Sequence, residues 1–204
     1  IDQLIQQGDL QIGSKLPTER AIAEELGIGR NSTREALSIL HGMGMIERVQ
    51  GSGNYISKDA GGSIHRILRM MLALGTITGK EIADFRCMME KAVCLDLLER
   101  GLSREQQIRF EVILREMEAA PSEEFLELDK TFHAQLICVT ENPLFILLLE
   151  SVSELYQEQI ARVLQHMDHA GRREILTQHQ AIYYHLTQKH KEAMLEAIDH
   201  HYIR

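Results

Sequence analysis

Lys15-Leu16-Pro17-Thr18-Glu19-Arg20, then Arg30-Asn31-Ser32-Thr33-Arg34-Glu35-Ala36-Leu37, then Arg48-Val49-Gln50-Gly51-Ser52-Gly53 decide how the first part of this chain folds. Pro17 precedes Thr18, whose hydroxyl is a good N-cap. Ala21, Ile22, Ala23 and Leu26 recur with helical period, and Gly27 is a C-terminal stop. A second helix is expected from about Arg30 to His41, with Ala36, Leu37 and Leu40 inward and Gly42 and Gly44 ending it. Ile46–Val49 and Asn54–Ile56 read as short strands around a glycine-rich tip. Two short helices followed by a hairpin predict a winged helix-turn-helix.

In that fold the second helix enters the major groove of DNA by its N-terminal end. Arg30 and Arg34 lie four apart on one face of that end, with Asn31 and Ser32 beside them. An arginine that donates two parallel hydrogen bonds to guanine supplies about 1–3 kcal/mol of discrimination. Arg20 stands ready for a phosphate or a base edge, and Arg48 and Gly51 place a charge and a bare backbone at the wing. The competing reading makes these arginines members of exposed ion pairs, such as Arg20 with Glu24.

Bulk charge does not attract DNA here. The chain carries a formal net charge of −8 over 204 residues. Residues 1–58 hold six Lys or Arg against seven Asp or Glu, and the rest hold sixteen against twenty-three. Affinity must therefore come from arginines gathered on one face. No run of about 18 uncharged apolar residues is present, so no membrane span is expected. Three cysteines, Cys87, Cys94 and Cys138, lack metal-type spacing and are expected to be buried free thiols in a reducing cytoplasm. The chain starts at Ile1, within a helix expected to end at Gln7, so further residues are expected to precede it.

Residues 1–57 thus form the expected DNA-binding domain, 58–63 with Gly61-Gly62 a linker, and 64–204 a second domain. Beyond the linker every segment has helical period: about 63–74, 79–100, 104–118, 122–140, 143–166, 170–189 and 191–203. Thr78-Gly79-Lys80-Glu81 has the form of a capping box. The expected fold is mainly α, the hairpin wing apart, with an antiparallel all-α bundle as its second half.

Asp129 and His133 share one face of one helix, together with Phe125, Phe132 and Leu136. A carboxylate on that apolar stripe is costly unless paired or bound to metal. His179 lies among Ile175, Leu176, Ile182, Tyr183 and Leu186, and His201 follows Met194 and Ile198. Four such groups facing inward form a candidate cation site, against the alternative of core histidines satisfied by neighbours. The remaining histidines, His41, His65, His166, His169, His185 and His190 among them, have weaker claims.

The first fifty-odd residues closely resemble the GntR family of bacterial transcription regulators. The resemblance rests on Leu16-Pro17-Thr18-Glu19-Arg20, Leu26-Gly27, Arg30, Arg34-Glu35-Ala36-Leu37, Gly44 and Gln50-Gly51-Ser52-Gly53. Gly29 stands where the family usually has Ser, so a hydroxyl N-cap and its phosphate contact are not assigned. Residues from about 78 to 203 resemble the ligand-binding domain of the FadR subfamily, the FCD domain. Its metal-binding members carry Asp-x-x-x-His on one helix and two later histidines, and Asp129, His133, His179 and His201 match those places. Arg86, in Asp84-Phe85-Arg86-Cys87-Met88-Met89-Glu90, matches an arginine that meets the effector's carboxylate; the alternative is a helix pair with Glu90.

The resemblance implies a bacterial, cytoplasmic regulator that binds an operator with a short inverted repeat as a homodimer. A small carboxylate effector at a divalent metal would release a repressor from its DNA. Three imidazoles and a carboxylate suit Zn²⁺, Ni²⁺, Mn²⁺ or Fe²⁺ alike. Two other readings stand beside this one: a metal-dependent enzyme of small organic acids carrying a DNA-binding head, and a bundle that only dimerises. No Glu is placed by motif as a general base, so no catalytic residue is assigned.

Overall fold

The computed structural model describes residues 10–59, 61–165 and 167–202, and only the backbone of 159–165. The expected helix ending at Gln7 and the histidine at 166 lie outside the described residues. The chain forms two compact units, Ile1–Ile67 and Leu68–Arg204.

In the first unit, α1 (Glu19–Leu26) packs on α2 (Arg30–Gly42), and α2 packs on β1 (Ile46–Val49). Thr18 caps α1 by accepting from the Ala21 amide at 3.2 Å, and Gly27 closes it at φ +63°. β1 pairs antiparallel with β2 (Gly53–Ile56), Ile46 opposite Ile56 and Val49 opposite Gly53. Gly51 turns the tip at φ +74°, a conformation that costs a residue with a Cβ. Lys15 bridges to Tyr55, and the Leu16 amide donates to Asn54 O at 2.8 Å. Lys15 and Leu16 thus add a short third rung beside the wing.

Leu10, Leu16, Leu37 and Ile46 form the core of this unit, with Ile22, Leu40 and Ile56 against them. Ala36 was expected inward but is exposed; Thr33 takes the buried place one turn earlier and donates its hydroxyl to Gly29 O at 3.2 Å. Ala21 and Leu26 are exposed as well, because so small a core covers only the Ile22–Ala23 edge of α1.

Gly61-Gly62 is not extended linker. The pair opens α3 (Gly61–Ala73), started by the Asp59 carboxylate, which accepts from the Gly62 amide at 2.7 Å. Six further helices follow: α4 (Gly79–Arg100), α5 (Arg104–Ala119), α6 (Ser122–Cys138), α7 (Pro143–Gln165), α8 (His169–Thr187) and α9 (Lys191–Tyr202). Thr78 and Glu81 make the reciprocal capping box that starts α4, and Ser103 and Gln106 make another at α5. α9 packs on α8 and α4; α6 packs on α5, α7 and α4; α8 also packs on α5 and α4. The core runs through Val93, Cys94, Leu97, Phe110, Phe132, Leu136, Ile182, Met194 and Ile198. Phe110 meets the edge of Phe132 at 5.6 Å between ring centres. Of the three free cysteines only Cys94 is buried; Cys138, at the end of α6, is exposed although Ile137 and Val139 on either side of it are in the core.

Candidate functional site

The helical period places Asp129 and His133 on the inner face of α6, His179 on α8 and His201 near the end of α9. Packing brings the three imidazoles together. His133 Nε2 lies 3.3 Å from His179 Nε2 and 3.2 Å from His201 Nε2. Asp129 Oδ1 lies 3.6 Å from His179 Nε2, and its Oδ2 accepts from Gln157 Nε2 at 3.1 Å. His179 is fully buried and stacks on Phe132 with ring centres 4.2 Å apart.

The neighbours decide where the protons sit. His133 Nδ1 lies 2.9 Å from a Glu90 oxygen, so that nitrogen carries the hydrogen and Nε2 presents a lone pair. His201 Nδ1 lies 3.0 Å from Gln178 Oε1. Glu174 faces the amide nitrogen of Gln178, which fixes the amide orientation and makes His201 Nδ1 the donor. The Nε2 atoms of His133 and His201 therefore point lone pairs at one another across 3.2 Å. Neutral imidazoles so arranged repel unless a cation lies between them.

A transition-metal ion fits that requirement. With M–N bonds of about 2.0–2.1 Å, two nitrogens on one tetrahedral ion lie about 3.3–3.4 Å apart, and at right angles about 2.9 Å. The observed 3.2 and 3.3 Å fall within this range. The convergent ligand atoms are those of the three histidines; Asp129, held by Gln157, lies beside them with its other oxygen near His179. Burial and the neighbouring His179 and His133 hold the His201 imidazole well below its usual range, in the neutral form a metal needs.

Glu90 is the hub of the outer layer. One of its oxygens takes Tyr202 OH at 2.7 Å and Arg86 Nη2 at 3.1 Å besides His133. Burial would raise its pKa, but His133, Arg86 and Tyr202 outweigh that and hold the carboxyl well below the carboxylate range. Arg86, 1% exposed, also lies 4.5 Å over the Tyr156 ring and 5.6 Å from Tyr202. The helix pair between Arg86 and Glu90 is real, yet it does not exhaust the guanidinium: Nε and Nη1 have no hydrogen-bond partner among the described residues. Arg86 and His133 line a cavity of about 730 Å³ with Lys130, Ser153, Glu154 and Gln157.

In the first unit, Arg20, Arg30, Asn31, Ser32, Arg34, Arg48 and Gly51 are all exposed. Arg30 to Arg34 form the first turns of α2, whose N-cap Gly29 makes no side-chain cap. Arg20 pairs with Glu24 at 2.8 Å and Arg34 with Glu19 at 3.2 Å. Exposed pairs of this kind contribute only about 0–1 kcal/mol, so exchange for a phosphate or base costs little.

Residues 1–56 match the family described as bacterial regulatory proteins, gntR family, and residues 81–204 match the FCD domain. The chain belongs to the GntR family. The Bacillus subtilis HTH-type transcriptional regulator LutR is 30% identical over 76% of this chain and 71% of its own length. The Escherichia coli Glc operon transcriptional activator is 28% identical over 90% of this chain and 75% of its own. Among solved structures, Streptococcus agalactiae GntR superposes with a TM-score of 0.73 at 25% identity, covering 98% of this chain and 92% of that one. This GntR-family protein is a transcriptional regulator of the FCD type. Among its described residues no helix is long and apolar enough to cross a membrane.

Reading the sequence alone missed Gln157, Gln178, Tyr156 and Tyr202, and reduced Glu90 to a helix partner. Glu90 did carry a signal: it lies one turn beyond Arg86 on an apolar side of α4, where an acid needs a reason. Gln178 carried one too, since it lies on the Ile175 and Ile182 stripe beside His179, whereas nothing in the sequence of α7 sets Gln157 apart from that helix's other polar residues.

Proposed function

We propose that the helical unit of this regulator senses a small carboxylate at a divalent metal held by His133, His179, His201 and Asp129. The observation that carries this reading is the pair of Nε2 lone pairs, fixed by Glu90 and Gln178, that face each other across 3.2 Å. The metal supplies Lewis acidity and positive charge when bound. The buried charges of Arg86, Glu90 and Asp129 total −1, so a divalent ion brings the site to +1, which favours a monoanion. Arg86 holds the anion in place, with Tyr156 and Tyr202 bracing its guanidinium from the faces.

The winged unit reads an operator through Arg30 and Arg34, steadied by Arg20, Arg48 and the Gly51 tip, as one half of a homodimer on a short inverted repeat in the cytoplasm. Effector binding favours the bundle arrangement with lower operator affinity, and the repressor leaves its DNA. Elemental analysis of untagged protein should find about one equivalent of Zn, Ni, Mn or Fe, removable by chelator. Gel shifts with the metal-loaded protein should then show operator release by a small acid. Metal-free protein that releases equally well with the same acids would refute the metal's part in sensing.

A further inference from the structure

Charge pairing singles out one further side chain of the winged unit. Residues 10–59 carry six Lys or Arg: Lys15, Arg20, Arg30, Arg34, Arg48 and Lys58. Arg20 and Arg34 are held by Glu24 and Glu19, whereas the other four form no ion pair among the described residues. Arg30 starts α2 and Arg48 lies on β1 near the wing tip, both places already given to DNA. Lys15 joins them by its position in the sheet.

Residues 13–16 run along the edge of β2 that β1 leaves open. Gly13 N donates to Ile56 O at 3.0 Å, Ile56 N to Ser14 O at 2.9 Å and Leu16 N to Asn54 O at 2.8 Å. Leu16 is buried in the core of the unit, so its neighbour Lys15 takes the opposite, solvent face. There its stem lies over Gly53, the first residue of β2 beside the tip: a Cβ on Gly53 would stand 3.2 Å from Lys15 Cε. Gly53 holds φ +128°, which residues with a side chain rarely adopt. The ammonium lies 5.8 Å from the centre of the Tyr55 ring, within range of a cation–π attraction of about 0.5–1 kcal/mol. Tyr55 OH lies 2.6 Å from Ser52 Oγ, which ties that ring to the tip. Lys15 is thus steered towards the tip by a bare glycine and a ring, and neither neutralises it. Lys58 differs: it follows the far end of β2, and its own amide donates to the Glu47 carboxylate at 3.4 Å.

An ammonium is a compact point charge, suited to a phosphate oxygen more than to two-pronged readout of a base. We infer that Lys15 grips a phosphate of the operator at the wing, a contact that adds affinity without sequence information and that rests on the operator-reading role proposed for this unit.

The test uses the full chain, a duplex that the parent selects from a random pool, and an unrelated duplex of equal length. Affinities of the parent, Lys15→Gln, Lys15→Arg and Lys58→Gln are followed from about 50 to 200 mM salt. Each phosphate contact contributes about 0.9 to the fall of log K with log salt. Lys15→Gln should lower that slope by about 0.9 and weaken both duplexes alike, so its deficit should shrink about 3–4-fold across the salt range. Lys15→Arg, which keeps the charge, and Lys58→Gln, which removes one elsewhere, should both keep the parent slope. An unchanged slope in Lys15→Gln overturns the inference, and so does an equal fall in Lys58→Gln, which would report net charge alone. A preference lost at one base pair would move Lys15 to a base edge and overturn the phosphate contact. A parent that selects no duplex removes the operator-reading role itself and this contact with it.

Discussion

Glu90→Gln tests the network around the candidate metal site more sharply than removal of a ligand. The change keeps the side chain's size but removes the charge that faces His133, Arg86 and Tyr202. Two effects follow and are separable. Without metal, Arg86 is left as a buried cation lacking its counter-ion; breaking such a pair costs about 3–5 kcal/mol, and the retained amide oxygen keeps the loss near 3. For a domain of this size each kcal/mol moves Tm by about 2–4 °C, so the metal-free variant should melt roughly 6–12 °C below the parent. With metal, loss of the carboxylate that orients His133 should weaken metal affinity by about 10–100-fold, or about 1.4–2.7 kcal/mol. Thermal melts in chelator measure the first effect, and competition against a chromophoric chelator measures the second. A variant as stable as the parent would refute the electrostatic account of Arg86. One that binds metal equally well would refute the claim that Glu90 sets the His133 tautomer.

His179→Ala should lose most bound metal and the effector response while unliganded operator binding is spared; full metal occupancy by elemental analysis would contradict the ligand assignment. Arg34→Ala should weaken specific operator binding by about 1–3 kcal/mol and flatten the preference at one base pair, and a binding-site selection that returns the parent motif would reject the groove placement. Acid should destabilise the metal-free protein. The His201 pKa is depressed in the fold, so the unfolded chain takes up its proton first; the associated stability is complete above the ordinary value of 6.5 and declines as pH falls through the folded pKa. Denaturation in chelator across that window should show the decline, and a flat profile would count against a neutral, buried His201.

The boundaries of the helices follow from local chemistry. Thr18, Thr78 and Ser103 carry hydroxyls that cap the turns just after them, and Gly27 and Gly51 adopt positive φ, so these positions are decided by residues within four of each other. The same short range explains why Asp129 and His133 were readable as one face of one helix, and why the inward sides of α8 and α9 could be assigned to His179 and His201. Inward, however, names a direction and not a meeting place. That His133 lies 3.3 Å from a residue 46 positions away, and that Glu90, Gln157 and Gln178 orient the ring atoms and the aspartate, depends on how α4, α6, α7, α8 and α9 pack. Periodicity likewise put Ala36 inside where Thr33 is buried, because a core of so few residues covers only one edge of each amphipathic stripe. Local hydrogen bonds and side-chain period are properties of neighbouring residues; the convergence of side chains from five helices is a property of packed volume, and only the assembled bundle specifies it.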